Sequence, residues 1–168
     1  MNMSHACEIP RDSDYFNVCQ ICGVPVDAAY FDVASFKPAP LNTGEEVELA
    51  RHVLHPQYCG ALLSFAQFAE EQAPSRQVIS HTPGYEWVIL CNSQPLSPYL
   101  PTSLILNPWG YNSFSVHLRL EEGCVVRLVV RKVTPAAGQT AITLSQVGGR
   151  LLGRSWYNTS YGGAPNRI

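Results

Sequence analysis

Charge is scarce in this chain. Asp, Glu, Lys and Arg make up 14% of its 168 residues, where soluble domains usually carry roughly 25%. A surface so poor in charge suits a protein that spends its life packed against neighbours. The formal charge of −2 gives no reason to expect nucleic acid as the main partner. Long apolar runs are also missing. None reaches the roughly eighteen residues that a membrane-spanning helix needs, so no membrane partner is expected. The first seven residues lack the basic region and apolar stretch of a secretory signal. Synthesis in a cytosol is therefore expected, with the six cysteines starting as thiols.

The usual catalytic and metal patterns are absent too. No G-x-S-x-G elbow is present to seat a nucleophilic serine. A cupin-like metalloenzyme, itself a double-stranded sandwich, wants a clustered H-x-H followed by Glu and His. His52 and His55 are three apart, so His52, His55, His81 and His117 read as ordinary surface or core histidines. Cys19 and Cys22 form a C-x-x-C, with His5 and Cys7 upstream, and zinc needs four such ligands in a tetrahedron. A second C-x-x-C is lacking, as is the βαβ context of a thioredoxin-like redox pair. Zinc binding, a disulfide and unpartnered thiols all stay open for Cys7, Cys19 and Cys22, and no cofactor is expected. Cys91 and Cys124 read as buried small hydrophobes, and Cys59, at the break over residues 56–60, as a cysteine that can be exposed. The expectation is a non-enzymatic protein.

What the chain does contain is β pattern. Tyr85, Trp87, Val88, Ile89 and Leu90 form a short aromatic and β-branched run, and Trp87 on it reads as core. Phe114, Val116, Leu118 and Leu120 alternate with Ser115, His117, Arg119 and Glu121, a period of two that puts the apolar set on one strand face. Glu122 and Gly123 make a turn, and residues 124–133 rise again as a β-branched strand with Leu128 and Val130 inward. The two strands are expected to pair as a hairpin.

Elsewhere the pattern is less regular. Over residues 45–54, Val47, Leu49, Arg51 and Val53 fall on one side and Glu46, Glu48, Ala50 and His52 on the other. This reads as a strand that Pro56 stops, with a helix as the rival. Residues 61–69 are apolar on both parities, as in a strand buried on both faces or a helix. Residues 70–83 form a polar loop. The last strands are expected over 140–147 and 151–157, separated by Gly148 and Gly149. Short strands joined by Pro/Gly loops, without alternating helices, point to an all-β class. The expected architecture is a single jelly-roll-like antiparallel β-sandwich over residues 45–157. An extended, largely irregular arm (1–44) precedes it, in which residues 24–33 are a weak strand, and a tail (158–168) follows.

The arm is too rich in aromatics for a disordered tail. Tyr15, Phe16, Tyr30, Phe31 and Phe36 are candidate subunit contacts. Asp12, Asp14, Asp27 and Asp32 oppose a C-terminal half that carries Arg119, Arg127, Arg131, Lys132, Arg150, Arg154 and Arg167. Two readings of this asymmetry stand: a solvated strand face, or an acidic arm meeting the basic face of a second copy. Trp109 and Tyr111, in the loop around Asn107 and Pro108, form a candidate ligand platform, because sugars stack on flat aromatic faces. Their alternative role is to plug the end of the sandwich.

Several of these segments together carry a resemblance. Trp87-Val88-Ile89-Leu90-Cys91-Asn92-Ser93-Gln94-Pro95-Leu96 leads through Asn107-Pro108-Trp109 and Phe114-Ser115-Val116 to Glu122-Gly123. The chain then closes with Gly148-Gly149-Arg150-Leu151-Leu152-Gly153-Arg154-Ser155-Trp156-Tyr157. This layout resembles the small jelly-roll structural proteins of tailed bacteriophages, which decorate the head or build neck and tail parts. It spans about residues 85–157, with Cys91 where Val is expected. The resemblance implies a virion protein made in a bacterial cytoplasm. Its partners would be the major capsid protein or other virion proteins and copies of itself. Capsid decoration is the first expectation, a neck or tail part the second, and a carbohydrate- or receptor-binding module the third.

Overall fold

Strands with apolar side chains at alternate positions need a second layer to bury that face. In the computed structural model, which describes residues 28–72, 74, 76, 77, 79, 81–96 and 114–157, two sheets supply it to each other. Among these residues lie eight strands and no helix. They are β1 (Ala29–Pro38), β2 (Glu46–Val53), β3 (Tyr58–Glu71), β4 (Tyr85–Cys91), β5 (Gln94–Pro95), β6 (Phe114–Leu120), β7 (Val125–Lys132) and β8 (Leu144–Tyr157). The sheets run β1-β8-β3-β6 and β2-β7-β4-β5, and every pairing is antiparallel. Apart from the β4–β5 hairpin, successive strands alternate between sheets, as in a jelly roll. The expected all-β, jelly-roll-like sandwich is the fold. Phe31, Leu62, Phe65 and Leu151 from one sheet meet Trp87, Ile89, Val126, Leu128 and Val130 from the other in a single buried cluster.

The strands expected to form a hairpin do not pair with each other. β6 lies beside β3, and β7 lies between β2 and β4. Their connection crosses from one sheet to the other, closed by the Cys124 N–H donating to the Glu121 carbonyl at 3.2 Å, with Gly123 at φ 67°. Alternation tells which face of a strand is apolar, but not which strand lies beside it. The apolar rows still meet: Val116, Leu120, Leu128 and Val130 are buried, and Leu118 packs partly buried against them.

The sandwich also starts earlier than residue 45. Residues 29–38 of the expected arm form β1, which pairs with β8 over its whole length, from Ala29↔Ser155 to Pro38↔Gln146. Its inward row is Phe31, Val33, Ser35 and Lys37. Phe31 is buried, while Ser35 Oγ and Lys37 Nζ donate to the Leu49 and Glu48 carbonyls of β2. These contacts stitch the two sheets along one side. Its outward row carries Tyr30, Ala34 and Phe36, so apolar residues sit on both parities and the period of two is hidden.

Two bulges and one unbroken strand complete the differences. In β2 the register slips between Glu48 and Ala50, so Leu49 and Ala50 are both buried. Beyond the bulge the faces exchange: His52 turns inward while Val53 is exposed. A second bulge lies between Leu62 and Ser64 of β3, so Leu62 and Phe65, of opposite parity, both enter the core, while Leu63 and Phe68 lie on the outer face. β8 runs straight through Gly148 and Gly149. A Cβ on Gly149 would stand 2.5 Å from Leu128 Cδ2, and one on Gly153 would stand 2.4 Å from the Ala61 carbonyl oxygen. These glycines are not breaks. They are places where a neighbour approaches too closely for any side chain.

Candidate functional site

The outer face of the β1-β8-β3 layer is the most unusual surface of the sandwich. Register fixes its rows: Tyr30 lies beside Arg154, Asp32 beside Leu152, Ala34 beside Arg150 and Phe36 beside Gly148. On the far side of β8, Ala66 flanks Arg150 and Phe68 flanks Gly148. An antiparallel sheet normally turns polar residues outward. Here the outward set is mostly apolar, and Tyr30 and Phe36 are 68% and 62% exposed. Phe36 lies over Gly148 and meets Phe68 edge-on, with centroids 5.2 Å apart. Trp156, Leu63, Ala61 and Ala28 form a second, more buried patch towards the end of the same face.

The charges inside this face are few. Asp32 and Arg150 form a two-pronged ion pair, with Nε donating to Oδ1 at 2.7 Å and Nη2 to Oδ2 at 2.6 Å. The hydrogen bonds from Arg150 hold the Asp32 carboxyl below the usual aspartate value of 3.8. Arg154 is buried, donates from Nε and Nη2 to the Ala28 carbonyl, and stacks over the Tyr30 ring. Over β2 and β7 of the opposite sheet the outer face is different. Arg127 and Arg131 on β7 pair with Glu46 and Glu48 on β2, and Arg51 pairs with Glu48. The hydrogen bond from Arg51 is the largest cause of the lowered Glu48 carboxyl.

Of the candidate subunit contacts, Tyr30 and Phe36 are therefore on an exposed face, while Phe31 is not. Phe31 points into the core and its ring stacks on His52, which corrects its reading as a contact for another subunit. Asp32 pairs with Arg150 of its own chain. Tyr15 and Phe16 lie outside the described residues, as do Trp109 and Tyr111 of the proposed ligand platform and Cys7, Cys19 and Cys22. In sequence, Arg150 is one arginine among several, and nothing there pairs it with Asp32. The signal in sequence is the acidic arm set against an arginine-rich C-terminal half, which does not single out this pair.

Cys91 and Cys124 are not unpartnered thiols. They form a disulfide with Cα atoms 6.2 Å apart, because the end of β4 and the crossing before β7 lie side by side, with Cys91 opposite Val126. Neither the strand pairing nor the sheet crossing that brings them together was visible in sequence. Cys59 is buried, not exposed, and burial pushes its thiol up from the ordinary value. Trp87 is core, as expected. Among the described residues, no group of three or more His, Cys, Asp or Glu side chains is placed to hold a metal ion. In comparison with known proteins, the chain matches no family model and no curated protein.

Proposed function

We propose that this chain is a non-enzymatic structural subunit of a tailed-bacteriophage virion, a capsid decoration protein that works by packing against the major capsid protein and copies of itself. The observation that carries the reading is the outward apolar row Tyr30, Ala34 and Phe36 of β1, with both aromatic rings exposed. Monomeric proteins rarely leave a broad apolar patch uncovered, and such patches mark interaction surfaces. Jelly rolls recur in capsid proteins, and also in lectins and cupins. The fold alone therefore chooses no function, and the surface is what favours assembly. Low overall charge fits the same role.

The test is to mix purified chain with phage heads that lack decoration and to separate the particles on a density gradient. The chain is expected to co-sediment with the heads and to saturate at a fixed number of copies per particle. A chain that stays at the top of the gradient with heads, necks and tails alike would sink the proposal.

A further inference from the structure

We infer that the outer face of β1 and β8 is where a second copy of this chain docks, in a two-fold, face-to-face contact centred on the Asp32–Arg150 pair. The inference rests on the assembly reading above and names its partner. Inside the exposed apolar row, the pair presents a negative and a positive group side by side, with side chains 46% and 43% exposed. Such a pair is a small dipole lying along the surface. A second identical dipole laid over it is attracted only when turned end for end, which places each aspartate against the other copy's arginine. A two-fold axis lying in the contact plane at right angles to the pair does this, because a two-fold contact uses the same patch on both sides. A two-fold axis running along the pair would instead put like charges together, an arrangement that is repelled.

The unused valences fit this arrangement. Arg150 spends two N–H groups on Asp32 and keeps three of its five donors. Each Asp32 oxygen accepts one of those bonds and retains a further lone pair. Four charged groups can therefore close into a ring without breaking the pair within either chain. Around that ring, Ala34, Phe36 and Tyr30 supply apolar area, and Ala34 is small enough to let two sheets approach. Beside the charged network over β2 and β7, the outward Val88, Leu90 and Val129 are already buried, so no exposed aromatic row surrounds those ion pairs.

The experiment is sedimentation velocity on the full chain and on two single variants, Asp32→Arg and Arg150→Asp. Wild type is expected to dimerise, and each variant to self-associate more than about tenfold more weakly, since like charges then oppose each other across the axis. Mixed one to one, the two variants are expected to form a heterodimer, one face carrying two positive groups and the other two negative. Pairing restored in the mixture cannot come from the pair within a chain, because that pair is broken in both partners. Should either variant lose its cooperative melt, Ala34→Cys replaces it. Mild oxidation is then expected to give a covalent dimer, with a peptide joined through position 34 of both copies found by mass spectrometry. A monomeric wild type, variants that dimerise as well as wild type, a mixture that stays monomeric, or no cross-link at position 34 would each overturn the inference. A monomer that still decorates heads removes this contact and leaves the virion role standing. A dimer that ignores all particles does the reverse.

Discussion

The imidazole of His52 lies flat on the phenyl ring of Phe31, with centroids 3.8 Å apart and planes 8° from parallel. The two residues come from β2 and β1, which belong to different sheets, so the stack helps to close one side of the sandwich.

That stack makes stability depend on pH. Burial, and secondarily the nearby His55, hold the His52 imidazole below its ordinary value of 6.5. Near and below that value the unfolded chain takes up a proton that the folded chain refuses. The stabilisation is therefore fully present above 6.5 and is lost as pH falls through the lowered folded value. Melting followed by circular dichroism from about pH 8 to about pH 5 should show a steeper decline for wild type than for His52→Phe, which keeps the stack without the titration. Equal slopes would mean that His52 does not titrate in this way.

Leu128 is fully buried between the sheets, next to Gly149 and Leu49. Leu128→Ala should cost about 2–5 kcal/mol in urea unfolding, as deletion of a buried Leu does when the cavity cannot collapse. Arg119→Ala, on an exposed side chain, should lie within about 0.5 kcal/mol of wild type. A small loss at Leu128 would show that the two inner rows do not meet there.

Gly153 is the tightest point of β8. Gly153→Ala would push its new methyl towards the Ala61 carbonyl and the Phe31 ring, an overpacking expected to cost about 1–3 kcal/mol. Phe31→Leu should not rescue it, because the backbone oxygen still blocks the site. Full rescue in the double variant, read by chemical denaturation, would show that only the ring was in the way.

The Cys91–Cys124 disulfide closes a loop with a sequence separation of 33. Loop-closure entropy for that length corresponds to about 3–4 kcal/mol. Protein unfolded without reductant should be two mass units lighter than its reduced form, and reductant should lower its melting temperature. An unchanged melt would show that the bond contributes nothing.

The alternation over 114–120, the β-branched run over 125–132 and the aromatic run over 85–91 determined three strands, their buried faces and the all-β class by themselves. A period of two is a local property, set by side chains that point to opposite faces of one extended chain. The residues from Glu45 to Val53 show where that signal fails: one extra residue at the β2 bulge sends Leu49 and Ala50 to the same side, and no count of alternate positions reveals it. Gly148 and Gly149 look like a break from composition alone. They read as strand only once Phe36 and Leu128 are seen to occupy the space where their side chains would be. β1 was legible only as a weak strand over 24–33, because its outward row is nearly as apolar as its inward one, which is also what makes that row a candidate contact surface. The placement of β6 and β7 in opposite sheets, the Cys91–Cys124 bond and the meeting of Asp32 with Arg150 across 118 residues were decided by tertiary structure alone. Each depends on which strand lies beside which, and that choice is made when the strands compete to bury their apolar faces against one another, not within any one of them.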